Sequence, residues 1–67
     1  MRISAVAQPS GKWWAIEVTD LDGGVWTQAR RLDEVPRMAA DAAACVLGVD
    51  PSEIEVTVTV EQGHEGQ

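Results

Sequence analysis

Residues 33–48, DEVPRMAADAAACVLG, form the one run in this sequence long and periodic enough for a full helix. Val35, Met38, Ala39, Ala42, Ala43, Val46 and Leu47 recur at steps of three and four, which draws an apolar stripe down one face. Glu34, Arg37, Ala40, Asp41 and Ala44 fall on the other face, polar or small enough to meet water. The ends are marked as well. Asp33 suits an N-cap, Glu34 follows in the first turn, and Pro36 falls at N3, where a missing N–H costs no intrahelical bond. Gly48 stands where a C′ residue needs positive φ, with Val49 placed to make the accompanying apolar contact. A helix of about fifteen residues spans roughly 22 Å, close to the length of a seven-residue strand, so a short sheet is its natural partner.

The flanking segments supply the strands. Ile3 to Gln8 alternates Ile3, Ala5 and Ala7 with Ser4, Val6 and Gln8, and Pro9-Ser10-Gly11 reads as a tight connection. Lys12 to Val18 places Trp14, Ile16 and Val18 on one face and Trp13, Ala15 and Glu17 on the other, which makes a hairpin with the first strand. Residues 19–24, TDLDGG, are dense in turn formers, and Val25 to Ala29 resumes as a short third strand. After the helix, Asp50-Pro51-Ser52-Glu53 reads as one capped turn. Ile54 to Val60 is the cleanest strand, its Ile and Val alternating with Glu55, Thr57 and Thr59. Residues 61–67 hold glycines and polar side chains with nothing to bury, so a disordered tail is expected.

The order β-β-β-α-β predicts an α+β, two-layer domain over residues 2–60, with one helix on one face and sheet order 3-2-1-4, the last strand parallel to the first. Ile3, Ala5, Trp14, Ile16, Val56 and Val58 should lie beneath the helix. The opposite face is left open. It should carry Val6, Trp13, Ala15 and the threonines of the last strand, while Trp26 belongs to a face that the sequence leaves undecided. An exposed patch with tryptophan on it marks an interface.

Composition narrows the function classes. Sixty-seven residues make one domain with a thin core, and domains of this size often lean on a partner or a second copy. Eleven acidic against five basic residues give a net charge of −6, which disfavours direct binding to nucleic-acid phosphates and favours a basic protein partner. Cys45 is the sole cysteine and reads as a small core residue, so no intrachain disulfide is expected. There is no long apolar run and no cleavable leader, from which a cytoplasmic protein without a membrane role is expected.

Four pieces of the sequence together resemble the HicB family of antitoxins. They are Gly11-Lys12-Trp13-Trp14-Ala15-Ile16-Glu17-Val18, then Leu21 with Gly23-Gly24, then Thr27-Gln28, then Leu32-Asp33-Glu34-Val35 opening an alanine-rich helix. The resemblance covers about residues 2–60. It departs from the family pattern at Thr19 and Asp22, where prolines are usual, at an added glycine in Gly23-Gly24, and at Ala29 in place of the glycine after Thr-Gln. The resemblance implies a partial ribonuclease-H-like fold, without catalytic activity, that covers the active site of a small basic HicA-type toxin cleaving messenger RNA. The family's usual C-terminal DNA-binding domain has no counterpart here, so autorepression is not expected.

The residues favour a binding role over chemistry. Glu17, Asp20 and Asp22 cluster in sequence, but two-metal catalysis needs carboxylates converging from several elements, and turn formation with solubility explains these three. His64 lies in the tail without neighbours to orient it, and Ser4, Ser10 and Ser52 have no base nearby. Arg30 and Arg31 precede a helix N-terminus, where cations are mildly unfavourable; solvated surface accounts for them first, and an acidic partner surface or a second copy of this acidic protein is the alternative. No enzyme activity, cofactor or metal is therefore expected. The candidate partner-binding residues are Trp13, Ala15, Glu17, Asp20, Asp22 and Trp26. Toxin neutralisation by occlusion is the first expectation, with a homo-oligomer expected alongside; the alternative is a stand-alone structural or regulatory homodimer of the same fold with no toxin.

Overall fold

The computed structural model describes residues 1–61. The chain runs β1 (Arg2–Ser10), β2 (Trp13–Val18), β3 (Val25–Ala29), a 3-10 turn (Leu32–Glu34), α1 (Val35–Leu47), a second 3-10 turn (Pro51–Glu53) and β4 (Glu55–Val60). The sheet order is β3-β2-β1-β4, with β1 antiparallel to β2 and parallel to β4. This is the α+β arrangement the alternation predicts, one helix laid on one side of a four-stranded mixed sheet.

The β1–β2 hairpin is longer and tighter than expected. Pairing continues to Ser10 opposite Trp13, so Pro9 and Ser10 belong to the strand and only Gly11 and Lys12 make the turn, with Gly11 at φ 63°. Pro9 is tolerated because of the strand's period. The carbonyl of Ala7, two residues earlier, accepts from Glu61 on the β4 side, so the N–H that Pro9 lacks falls on that side, past the end of β4.

Ile3, Ala5, Ala7, Ile16, Val18, Ala29 and Ile54 form the core with Val35, Ala39, Ala40, Ala43 and Ala44 of the helix. Trp14, Val56 and Val58 pack against it half-buried, on the face expected for them. The helix, however, is rotated from its expected setting. Ala40 and Ala44 are buried, whereas Val46 is 60% exposed and Leu47 is exposed. Alanine side chains let a helix backbone settle close to a sheet, and the larger residues at its last turn fall off that flat face. Cys45 corrects a second expectation, because its thiol is exposed. It stands two positions beyond Ala43, about 200° round the helix from that core residue.

The helix also starts differently. Asp33 makes no cap; the chain enters through the 3-10 turn, closed by the Glu34 N–H donating to the Arg31 carbonyl at 3.1 Å, while the Asp33 carboxylate meets the Arg31 guanidinium at 3.3 Å. A backbone i→i+3 bond has taken over the work expected of a side chain. The far end is as expected. Gly48 takes φ 73°, and the N–H groups of Gly48 and Val49 both reach the Ala44 carbonyl, at 2.8 and 3.2 Å. Asp50 caps the second 3-10 turn, its carboxylate accepting from the Ser52 N–H at 2.9 Å and the Ser52 hydroxyl at 2.8 Å. Glu61 continues the β4 ladder through its N–H to Ala7, and the remainder of the expected tail, 62–67 with His64, lies outside the described residues.

Candidate functional site: the open sheet face

Strand register decides which side chains meet on the uncovered face. Trp26 lies opposite Glu17, which lies opposite Val6, which lies opposite Thr59. Two residues along, Gln28, Ala15 and Gln8 make the next row, and Gln8 donates from its amide to the Glu61 carboxylate. Trp13 follows opposite Ser10. The undecided position is thereby settled: Trp26 shares the open face with Trp13, Ala15 and Glu17. The two indoles are 38% and 63% exposed for Trp13 and Trp26. Their rows stand four residues apart along the strands, about 13 Å at roughly 3.3 Å per residue.

Two of the six expected residues do other work. The Asp20 carboxylate turns back to accept the Ser4 N–H at 3.0 Å, satisfying a β1 donor where β2 has ended. Asp22 is exposed in the turn that the Gly24 N–H closes onto the Leu21 carbonyl at 3.2 Å, with Gly23 and Gly24 at φ 81° and 69°. Glu17, Asp20 and Asp22 therefore point to three different places. Among the described residues, no three His, Cys, Asp or Glu side chains gather as a metal site.

Nothing in the sequence reading brought Lys12 and Arg30 together at Trp13. The Arg30 guanidinium lies over the Trp13 ring, its Cζ 5.1 Å from the ring centroid. Lys12, Trp13 and Arg30 line a cleft of about 340 Å³ at one end of the face. Pairing of Trp14 with Ala29 carries the reason, since one step further along both antiparallel strands brings Arg30 beside Trp13. The ion pairs among the described residues use Arg2 with Glu55 at 3.2 Å and Arg31 with Asp33, all well exposed. Such pairs contribute little to stability, but Arg2–Glu55 ties the open-face ends of β1 and β4 together.

The face thus combines two separated indoles, a half-buried Glu17 opposite Trp26, the Gln28-Ala15-Gln8 row between the two and a cationic corner beside Trp13. It offers flat area and polar rims, which suits recognition of a macromolecular surface. No helix among the described residues is long and apolar enough to cross a membrane. No protein-family profile, curated protein or solved structure matches this chain.

Proposed function

We propose that this domain is a non-catalytic binding module of the antitoxin type, which docks a small basic HicA-type toxin on its open sheet face and neutralises it by covering the toxin's messenger-RNA-cleaving site. The observation that supports this reading most is the register that places Trp13 and Trp26 together on the sheet face that no helix among the described residues covers. Large indoles held on a rigid sheet lose little conformational freedom when a partner arrives, which is why tryptophan dominates interface energetics. The net charge of −6 would draw a basic partner into encounter, and the indoles would then slow its departure.

The test is co-expression with small basic reading frames adjoining the gene, followed by pull-down and a messenger-RNA cleavage assay. Capture of a basic ribonuclease whose activity falls on binding is expected. Failure of every such neighbour to bind would overturn the proposal. Trp13→Ala should weaken a captured complex by about tenfold or more, roughly 1.4 kcal/mol, while the domain stays folded. The second reading, a homodimer of the same fold with no toxin, draws on a different surface, the edge of β4 that no other strand pairs among the described residues.

A further inference from the structure

The outer edge of β4 has a direction that its hydrogen bonds reveal. Glu55 donates its N–H to the Met1 carbonyl at 2.6 Å, and Glu61 donates to Ala7 at 2.8 Å, so the odd-numbered residues of this strand face β1. Backbone polarity alternates along a strand. The N–H and C=O groups of Val56, Val58 and Val60 therefore point away from the sheet, where the order 3-2-1-4 provides no further strand among the described residues. Natural edges are guarded by charged side chains, proline, a bulge or an inward charge, and the run Val56-Thr57-Val58-Thr59-Val60 has none of these between the flanking Glu55 and Glu61. Val56, Val58 and Val60 are also only half-buried on the helix side, so the helix leaves their outer flanks uncovered.

We propose that β4 pairs with β4 of a second copy of this chain, antiparallel and centred on Thr57. The inference deepens the self-association reading and is independent of toxin docking. An antiparallel pairing of one strand with itself is isologous and closes at two copies, whereas joining β4 to the β3 edge of a neighbour would propagate without end. Hydrogen-bond direction then restricts the register, because residues with outward amides must face one another as the hydrogen-bonded pairs of the new ladder, which leaves the inward-amide residues facing one another as the non-hydrogen-bonded pairs between them. Two settings keep five strand residues paired. Centring on Val58 would set Glu55 against Glu61 of the partner copy, like charge against like on one face. Centring on Thr57 sets Glu55 against Thr59 and Thr57 against itself, and moves the facing carboxylates, Glu53 and Glu61, two positions beyond the paired run. It also brings Val56 against Val58 twice on the helix side, and cross-strand pairs of branched residues of this kind stabilise a sheet.

A two-fold axis normal to the sheet leaves both helices on one side and both open faces on the other. The joined sheet runs 3-2-1-4-4-1-2-3, and Trp13 and Trp26 stay uncovered in each copy. A single strand pair is a small interface, so the dimer should be weak and concentration-dependent.

Because Thr57 faces its own copy at the axis, charge at that position tests the register directly. Sedimentation velocity from micromolar to submillimolar protein should show monomer giving way to dimer. Thr57→Lys and Thr57→Glu should each weaken the dimer about fivefold or more, and an equimolar mixture of the two should restore it. Both substitutions lie on the exposed open face, and far-UV circular dichroism with a thermal melt verifies that each variant is folded. Absence of any dimer would overturn the proposal together with the self-association reading. A dimer indifferent to both variants, or weakened by both without rescue in the mixture, would overturn pairing about Thr57 while leaving self-association standing.

Discussion

Trp13 is held in place by the Arg30 guanidinium over its ring, an arrangement worth about 0.5–1 kcal/mol at an exposed site. Arg30→Gln should therefore lower stability by no more than about 1 kcal/mol while shifting the tryptophan emission, because the cation leaves the indole face. Unchanged emission would mean that the stacked arrangement is not kept in solution. Arg30 could have been placed from the sequence only by counting register across the 19–24 turn between β2 and β3, and a turn of that length with Gly23 and Gly24 both at positive φ does not announce its register in its residues. Cys45 was not legible, since a small sulfur side chain in an alanine-rich helix fits core and surface equally well by hydropathy. Its exposed thiol should react with a disulfide reagent in the native protein at the rate of an accessible thiol. Protection until denaturant is added would contradict the placement. Asp50 has its carboxyl held below the ordinary value, first by the Ser52 backbone N–H and then by the Ser52 hydroxyl. A depressed folded-state value means that the cap's contribution is present above the unfolded-state value and fades as pH falls through the folded one. Thermal melts of Asp50→Ala should thus lie below those of the native chain at neutral pH and converge with them in acid. A gap that persists undiminished into acid would show that the carboxylate is not the group responsible.

At the scale of the element, α1 shows why the sheet was easier to read than the helix face. A strand alternates strictly, so one buried isoleucine assigns every second neighbour, and Ile16 carries Trp14 and Val18 with it. A helix stripe is broad, and hydropathy ranks Val46 and Leu47 above Ala40 and Ala44. The structure ranks them the other way, because closeness to the sheet favours the smallest side chains. The stability consequences differ sharply between the two settings. Ala43 has no exposed surface, so Ala43→Leu should overpack the helix–sheet seam and cost about 1–3 kcal/mol, whereas Val46→Ala should change stability by about 0.5 kcal/mol or less. Chemical denaturation of the two variants measures both. The reverse order would restore the stripe drawn from hydropathy and displace the alanine face from the core. The helix start belongs to the same lesson: Asp33 has the right chemistry for a cap, but a 3-10 turn can present the entering chain without one.

At the scale of the molecule, one thin sheet serves a core on one side, and the two proposals assign partners to two other surfaces, a face and an edge. The face depends on side chains and the edge on backbone, so they should respond to different perturbations. Amide exchange separates them residue by residue. β1 lies between two strands, and its amides should be among the slowest to exchange at any concentration. Along β4 the alternation of donors predicts a two-residue pattern. Thr57 and Thr59 point toward β1 and should be protected even in dilute protein, whereas Val56 and Val58 point outward and should exchange quickly there. If strand pairing closes the edge, raising the concentration slows Val56 and Val58 alone. A partner docked on the open face would instead leave both outward amides fast, since it covers side chains and not the strand's margin. Uniform slowing of all β4 amides would point to a general tightening of the sheet and would count against pairing at this edge.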